Sequence, residues 1–384
     1  MNLERGGRAS KRIPAPHRVL VVSVSGIGNT LLATPFLREF KRKFPQAALD
    51  LLVWGKSAAA PLEGSGWVDR IWVAPSGFGA WMAMIRTLRR SAYDVVLTVF
   101  PSNKAAYHVF AMLTGARYRV GHAYADGWKR GEWLLTHRVP AQEALHDVEQ
   151  NLALLDVFED GSAGEPALNR RLFFHVTEED RSFAASWVQE AGWSGRHLIG
   201  IHPGAGAAVT YQHWQGHWKR WPHESFAELL CGWAAREDLA VVLVGGPEED
   251  ELKAAVVEAA GSPANVRRLT ANLKRTAAVL ERCSLMISND SGLMHVATAM
   301  GVPTLALFGP TQPSRTSPVG EGHRVLRKEG PGRPCLRYPF HSASSKIRCP
   351  CQGQCLRDIS VDDVRAVAGE ILAQTGGKGS PKST

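Results

Sequence analysis

Uninterrupted apolar runs, each leading through a turn into a stretch of helical periodicity, recur along both halves of this chain. A strand with one wet face alternates apolar and polar side chains. A run without alternation suits a strand covered on both faces, as in a parallel sheet flanked by helices. In the first half such runs fall at 19–24, 48–54, 71–73, 93–99 and 118–121, with helices expected at 29–43, 78–90, 103–114 and 144–158. Trp81, Met84, Ile85 and Leu88 give the segment 78–90 its helical spacing. In the second half a helix is expected at 178–191, strands at 198–202, 240–245, 266–269, 285–288 and 304–308, and a last helix at 362–375. The pattern predicts an α/β protein of two Rossmann-like, doubly wound units. A length of 384 residues is generous for one core and favours the same division. The boundary is expected near 175–195, giving domains at 17–180 and 181–372. A basic lead-in at 1–16 and a polar tail at 373–384 are expected to lack order.

Chemistry concentrates where strands give way to helices. Ser288-Asn289-Asp290-Ser291-Gly292 joins an apolar strand to a small-residue helix, which Asp290 or Ser291 can cap. The free N–H groups and dipole of such a helix start make an anion seat, and His295 lies one turn inside it. A second loop of this kind, His202-Pro203-Gly204-Ala205-Gly206, follows the strand before it. Two anion seats in one half point to a diphosphate-bearing ligand such as a nucleotide-sugar. The run Trp214-Gln215-Gly216-His217-Trp218-Lys219-Arg220-Trp221 has two readings. Its Trp rings can hold the loop down, or Lys219 can meet a phosphate as a point charge with Arg220 behind it. Glu248 and Glu249, after Gly245-Gly246-Pro247, are either partners of a helix dipole or ligands of ribose hydroxyls. In the first half, Gly26-Ile27-Gly28-Asn29-Thr30 lacks the third glycine and later carboxylate of a dinucleotide fingerprint. It is either a tight turn or a ligand site at the end of the first strand.

The formal net charge is +9, and most of the excess precedes His175. Arg38, Lys41, Arg42, Lys43, Arg86, Arg89 and Arg90 contribute to it. A solvated helix face accounts for this, as does attraction to an acidic acceptor or an anionic membrane surface. Nucleic acid is not expected, because the basic groups spread over several helices. No run reaches the length of a membrane span, and the N-terminus lacks the pattern of a secretory signal. A cytoplasmic protein is expected, with peripheral contact at the membrane's inner face left open. Cys231 and Cys283 are expected to be buried small hydrophobes. Cys335, Cys349, Cys351 and Cys355 leave three options: a structural zinc or iron site, reduced thiols, or disulfides.

Several short motifs, in order and at consistent spacing, resemble the heptosyltransferases of glycosyltransferase family 9 over about 17–372. They are Gly26-Ile27-Gly28-Asn29 with Thr34-Pro35, Leu88-Arg89-Arg90-Ser91-Ala92-Tyr93-Asp94, and His146-Asp147-Val148-Glu149-Gln150-Asn151-Leu152. Further along come His202-Pro203-Gly204, Lys219-Arg220-Trp221-Pro222, Gly245-Gly246-Pro247, the run from Asp290 to His295, and Phe308-Gly309-Pro310-Thr311. The resemblance implies a GT-B fold whose two Rossmann-like domains face a central cleft. It implies transfer of heptose from ADP-heptose to a lipopolysaccharide core acceptor, with inversion and with no metal or cofactor in catalysis. The donor would meet His202, Gly204, Gly206, Lys219, Glu249 (or Glu248), Asp290, Ser291, Gly292, His295 and Thr311. The acceptor would meet Gly28, Asn29 and Thr30. The family's catalytic base is an Asp directly after the glycine of the first loop, where this chain has Asn29. An amide cannot accept the proton, which leaves His146, Glu149 and Asp126 as other candidates. Two alternatives remain: a protein-directed heptosyltransferase, and a homologue that binds nucleotide-sugar with weak or no transfer. A Rossmann dehydrogenase is disfavoured, since neither half has the full dinucleotide fingerprint.

Overall fold

The computed structural model describes residues 11–23, 26–159, 168–206, 218–330, 333–340 and 351–376. The chain divides into two compact units, Met1–Asn169 and Arg170–Thr384. In the first unit the order is β1 (Arg18–Ser23), α1 (Ile27–Lys43), β2 (Ala48–Val53), α2 (Lys56–Ala59), β3 (Arg70–Val73) and α3 (Phe78–Arg90). It continues through β4 (Val95–Thr98), α4 (Ala105–Leu113), β5 (Tyr118–Ala123), β6 (His137–Pro140) and α5 (Asp147–Leu152). The six strands lie in the order β3-β2-β1-β4-β5-β6, and every neighbouring pair is parallel. Val19, Leu20, Val21 and Val22 of β1 are all buried, as an unalternating run requires. Strand order reverses about β1 and β4, so a ligand crevice is expected outside their carboxyl ends.

The second unit begins with α6 (Glu178–Glu190), β7 (His197–His202), α7 (His223–Trp233), β8 (Leu239–Leu243), α8 (Asp250–Ala259) and β9 (Val266–Arg268). There follow α9 (Leu273–Glu281), β10 (Leu285–Asn289), α10 (Gly292–Ala299), β11 (Thr304–Leu307) and α11 (Pro313–Thr316). The last elements are β12 (Arg324–Leu326), α12 (Gln354–Arg357) and α13 (Val361–Gly376). Its sheet is β12-β11-β10-β7-β8-β9, again parallel throughout, with the switch point between β7 and β10. Ile199, Ile201, Val241, Leu243 and Ile287 of the sheet form one core with Phe226 and Leu230 of α7 and Val364 and Ile371 of α13. Each such side chain contributes about 1.5–3 kcal/mol by leaving water.

The predicted α/β class and both doubly wound units are present, with four local differences. The division falls between Asn169 and Arg170, ahead of the 175–195 interval. Helix α6 is tied to α9 of the second unit, through Arg181 to Glu281 at 2.9 Å and Arg275 to Glu179 at 3.2 Å. The lead-in is ordered where it is described: Ile13 is fully buried and bridges Phe158, donating to Val157 O and accepting from Glu159 N, both at 2.8 Å. Its apolar side chain outweighs the polar composition around it. The helix expected at 144–158 is shorter, because His146 caps α5 and a 3-10 turn, Ala153–Val157, replaces its second half. Strands β6 and β12 lie at sheet edges and were not expected. Residues 1–10 and 377–384 lie outside the described residues.

Candidate functional site

Parallel register sets Ser288 of β10 opposite His202 of β7, so the polar ends of both strands lie side by side at the switch point. His202 is buried. Its Nδ1 lies 2.9 Å from Ser291 Oγ and its Nε2 2.8 Å from Glu249 Oε2. Glu249 accepts from the backbone N–H groups of Gly206 and Gly246, each at 3.2 Å. Burial alone would raise the Glu249 carboxyl. The adjoining His202 imidazole and the two amides reverse this and hold it at about 2. A Cβ on Gly204 would come within 1.8 Å of Glu249 Oε1, so only glycine lets the chain pass this carboxylate. Asn289 completes the arrangement: its amide donates to Pro203 O at 3.0 Å and Gly204 O at 2.9 Å, and its Oδ1 accepts from Trp221 N at 2.9 Å.

Two residues further on, Ser291 caps α10 by accepting from Met294 N at 3.4 Å. Asp290, just ahead of the cap, pairs with Lys219 at 2.9 Å and has the Thr311 hydroxyl nearby. Burial would raise the Asp290 carboxyl, but the Lys219 ammonium, the Thr311 hydroxyl and nearby His295 hold it below the ordinary carboxylate value. His295 is buried one turn into the helix, while Gly292 at its start is half-buried. Lys219 is thus anchored by Asp290 and its side chain keeps partial exposure. That combination suits a cation that meets a ligand phosphate at a helix N-terminus.

Some predicted site residues hold the scaffold instead. The loop at 202–206 was expected to seat an anion, yet the Gly206 amide is already taken by Glu249. Glu249 itself faces inward, whereas its neighbour Glu248 is exposed. Trp221 is buried, stacks edge-on to Phe226 at 4.8 Å and donates its indole N–H to Ile359 O, so this ring does hold the loop down. Residues 214–217 lie outside the described residues. Lys253 escaped notice in the sequence. It is buried and its ammonium reaches Asp250 at 2.7 Å, Leu269 O at 3.2 Å and Gly245 O at 3.3 Å, fixing the carboxyl ends of β8 and β9 together. Its i,i+3 carboxylate partner was the only signal available.

In the first unit Asn29 lies in the opening turn of α1, with Nδ2 3.5 Å from Phe100 O. Gly28 shares that turn. Thr30 was expected at the acceptor, but its side chain is buried and bonded to Ser23 Oγ at 2.9 Å. Asn151 positions this corner from below, accepting from Phe100 N at 2.8 Å and donating to Leu32 O at 3.1 Å. Of the other base candidates, Glu149 is half-buried on α5 and Asp126 is ion-paired with Arg130. His146 caps α5, its Nδ1 accepting from Val148 N at 3.2 Å. Loss of that cap in His146→Ala should cost about 1 kcal/mol in urea unfolding. His146→Asn, which keeps a capping acceptor, should retain both stability and turnover. A large loss of turnover in His146→Asn would point to chemistry at the imidazole.

The cysteines depart in part from expectation. Cys283 is buried and its thiol is pushed up by burial, but Cys231 is exposed, its Sγ 3.4 Å from Ala260 O. Cys351 and Cys355 place their sulfurs 3.9 Å apart, and Cys335 is half-buried. Cys349 lies outside the described residues. Among the described residues no three His, Cys, Asp or Glu side chains gather as a metal site, so the structural zinc or iron expected at this cluster gains no support.

The model of Glycosyltransferase family 9 (heptosyltransferase) matches residues 81–343. The chain is 29% identical to lipopolysaccharide heptosyltransferase 2 of Salmonella typhimurium, covering 94% of this chain and 99% of that relative. It is 29% identical to lipopolysaccharide heptosyltransferase 2 of Escherichia coli, covering 81% and 88%. The solved structure of E. coli ADP-heptose lps heptosyltransferase II superposes with a TM-score of 0.70 at 26% identity, covering 94% of this chain and 99% of that one.

Proposed function

The chain belongs to glycosyltransferase family 9, the heptosyltransferases, and from that membership we propose an inverting, metal-independent enzyme that moves heptose from ADP-heptose to a lipopolysaccharide core. The names of the relatives supply donor and acceptor class. The observation that carries the reading is the Lys219–Asp290 pair at the start of α10, beside the switch point of the second sheet. In the reaction the acceptor hydroxyl oxygen bonds to the anomeric carbon as the bond from that carbon to phosphate breaks. ADP leaves with the electron pair, and the hydroxyl proton passes to a base. Lys219 and the amides opening α10 receive the charge on the leaving diphosphate. The exposed Glu248, rather than the inward-facing Glu249, is left to meet the ribose. Gly28 and Asn29 meet the acceptor, while Thr30 holds their turn. A lipopolysaccharide acceptor puts this work at the cytoplasmic face of a membrane, and among the described residues no helix is long and apolar enough to cross one.

Calorimetric titration with ADP, UDP and GDP tests the donor class. ADP should bind about tenfold or more tighter than the others, a difference near 1.4 kcal/mol. Absence of ADP binding, or a preference for UDP or GDP, would remove the assignment. Parallel transfer assays with a lipid-linked sugar and with polypeptide separate this reading from protein-directed transfer.

Asn29 favours a second reading, a homologue that binds the donor and transfers weakly. Its amide nitrogen is directed to Phe100 O and has no capacity to take a proton. Asn29→Asp places a base there, and turnover should stay equal or rise, by as much as about 10²-fold if no other base serves. A fall in turnover would show that the amide itself orients the acceptor hydroxyl.

A further inference from the structure

Helix α3 carries more apolar surface than the fold covers. Phe78, Trp81, Met82, Ile85 and Leu88 share one broad arc at helical spacing, yet only Leu88 is buried and Phe78 is 83% exposed. The apolar surface continues onto neighbouring elements. Trp54, itself 54% exposed, lies with its ring 5.7 Å from that of Trp81, and Trp81 meets Phe110 of α4 edge-on at 5.7 Å. Val109 and Met112, on the same short helix as Phe110, are exposed as well. Contiguous exposed aromatic and aliphatic side chains of this kind mark an interaction surface more often than chance does.

Charge selects the partner. Arg86, Arg89 and Arg90 are exposed on α3, the helix has no carboxylate, and no ion pair to these arginines occurs among the described residues. Pairing with a second copy across a two-fold axis would bring two such arginine sets together. An anionic bilayer complements both features, taking the aromatic arc at the acyl boundary and the guanidinium groups among the headgroups. We infer that the face formed by α3, α4 and Trp54 docks the protein on an anionic phospholipid surface, bringing the first unit to a lipid-embedded acceptor. The inference rests on the glycolipid-acceptor reading above.

Flotation of the full chain with phosphatidylglycerol-containing phosphatidylcholine vesicles tests it, against vesicles of phosphatidylcholine alone. Wild-type protein should float with the anionic vesicles, and less so as salt rises. Phe78→Asp removes an exposed ring that supports no packing and should lower vesicle affinity about tenfold or more. Arg86→Glu and Arg90→Glu should each lower it about fivefold or more at low salt. ADP binding and the unfolding midpoint should be unchanged in all three. Wild-type protein that ignores anionic vesicles, or variants that float as well as wild type, would overturn the docking surface. So would a dimer abolished by Phe78→Asp in the absence of vesicle binding, which would assign the face to a second copy. Vesicle binding without any ADP binding would instead sink the transferase reading and leave the membrane contact standing.

Discussion

Lys219→Ala should lower turnover by about 10²-fold or more, equivalent to roughly 2.7–4 kcal/mol of transition-state stabilisation. The reason lies in where charge accumulates. As the sugar–phosphate bond breaks, the leaving diphosphate gains negative charge that bulk water cannot reach quickly inside a folded site. Lys219 is fixed for that moment by Asp290 at 2.9 Å, so its ammonium need not be ordered during the reaction. The same pairing complicates a single substitution. Without the ammonium, Asp290 stays buried with the Thr311 hydroxyl and His295 as its remaining support, and stability will fall too. The double variant Lys219→Ala, Asp290→Asn separates the two effects. It should recover the unfolding midpoint and not the turnover. Unchanged turnover in Lys219→Ala, measured at saturating donor, would remove Lys219 from the site.

The architecture was legible wherever burial was complete. Strands such as β1, β8 and β10 are covered on both faces, so their composition alone announces them, and the turns that follow carry the polar residues by position. Two of the four edge strands, β6 and β12, gave no such signal. In β6 buried and exposed positions alternate and Pro140 ends it, while β12 is three residues long with two exposed. The site was legible in its residue types and less so in their orientation. Glu249 and Glu248 are adjacent carboxylates on one turn, and nothing in their sequence says which faces His202. His146 belongs to a motif of the family, yet its visible work is to cap a helix, and Asn151 of the same motif ties α1 to the loop after β4. Ile13 shows the reverse error: one apolar residue in a polar lead-in is enough to bring it into the core.

Glu249→Ala should destabilise the protein by about 3–5 kcal/mol, because it takes the shared acceptor from the buried His202 imidazole and from two half-buried backbone N–H groups. The acid dependence of stability identifies the carboxylate as the cause. The Glu249 carboxyl titrates at about 2 in the folded chain against an ordinary 4.5. A depressed folded value means that the unfolded chain takes up the proton first as pH falls. The contribution is therefore complete above about pH 4.5–5, shrinks as pH falls, and is gone below about 2, a total of about 3 kcal/mol. Glu249→Gln keeps the shape and an acceptor oxygen but not the charge. Its deficit relative to wild type, from urea midpoints, should narrow from pH 5 toward pH 3. A deficit that does not change with pH would mean that the ionised carboxylate is not what holds the loop. The functional consequence follows from Gly204, which passes so close to Glu249 that the loop and the carboxylate can only move together. Asn289 carries that loop on one amide and the Trp221 backbone on the other face of its side chain, two residues from Lys219. Loosening Glu249 should thus weaken ADP binding through the position of Lys219, even though Glu249 itself need never touch the nucleotide.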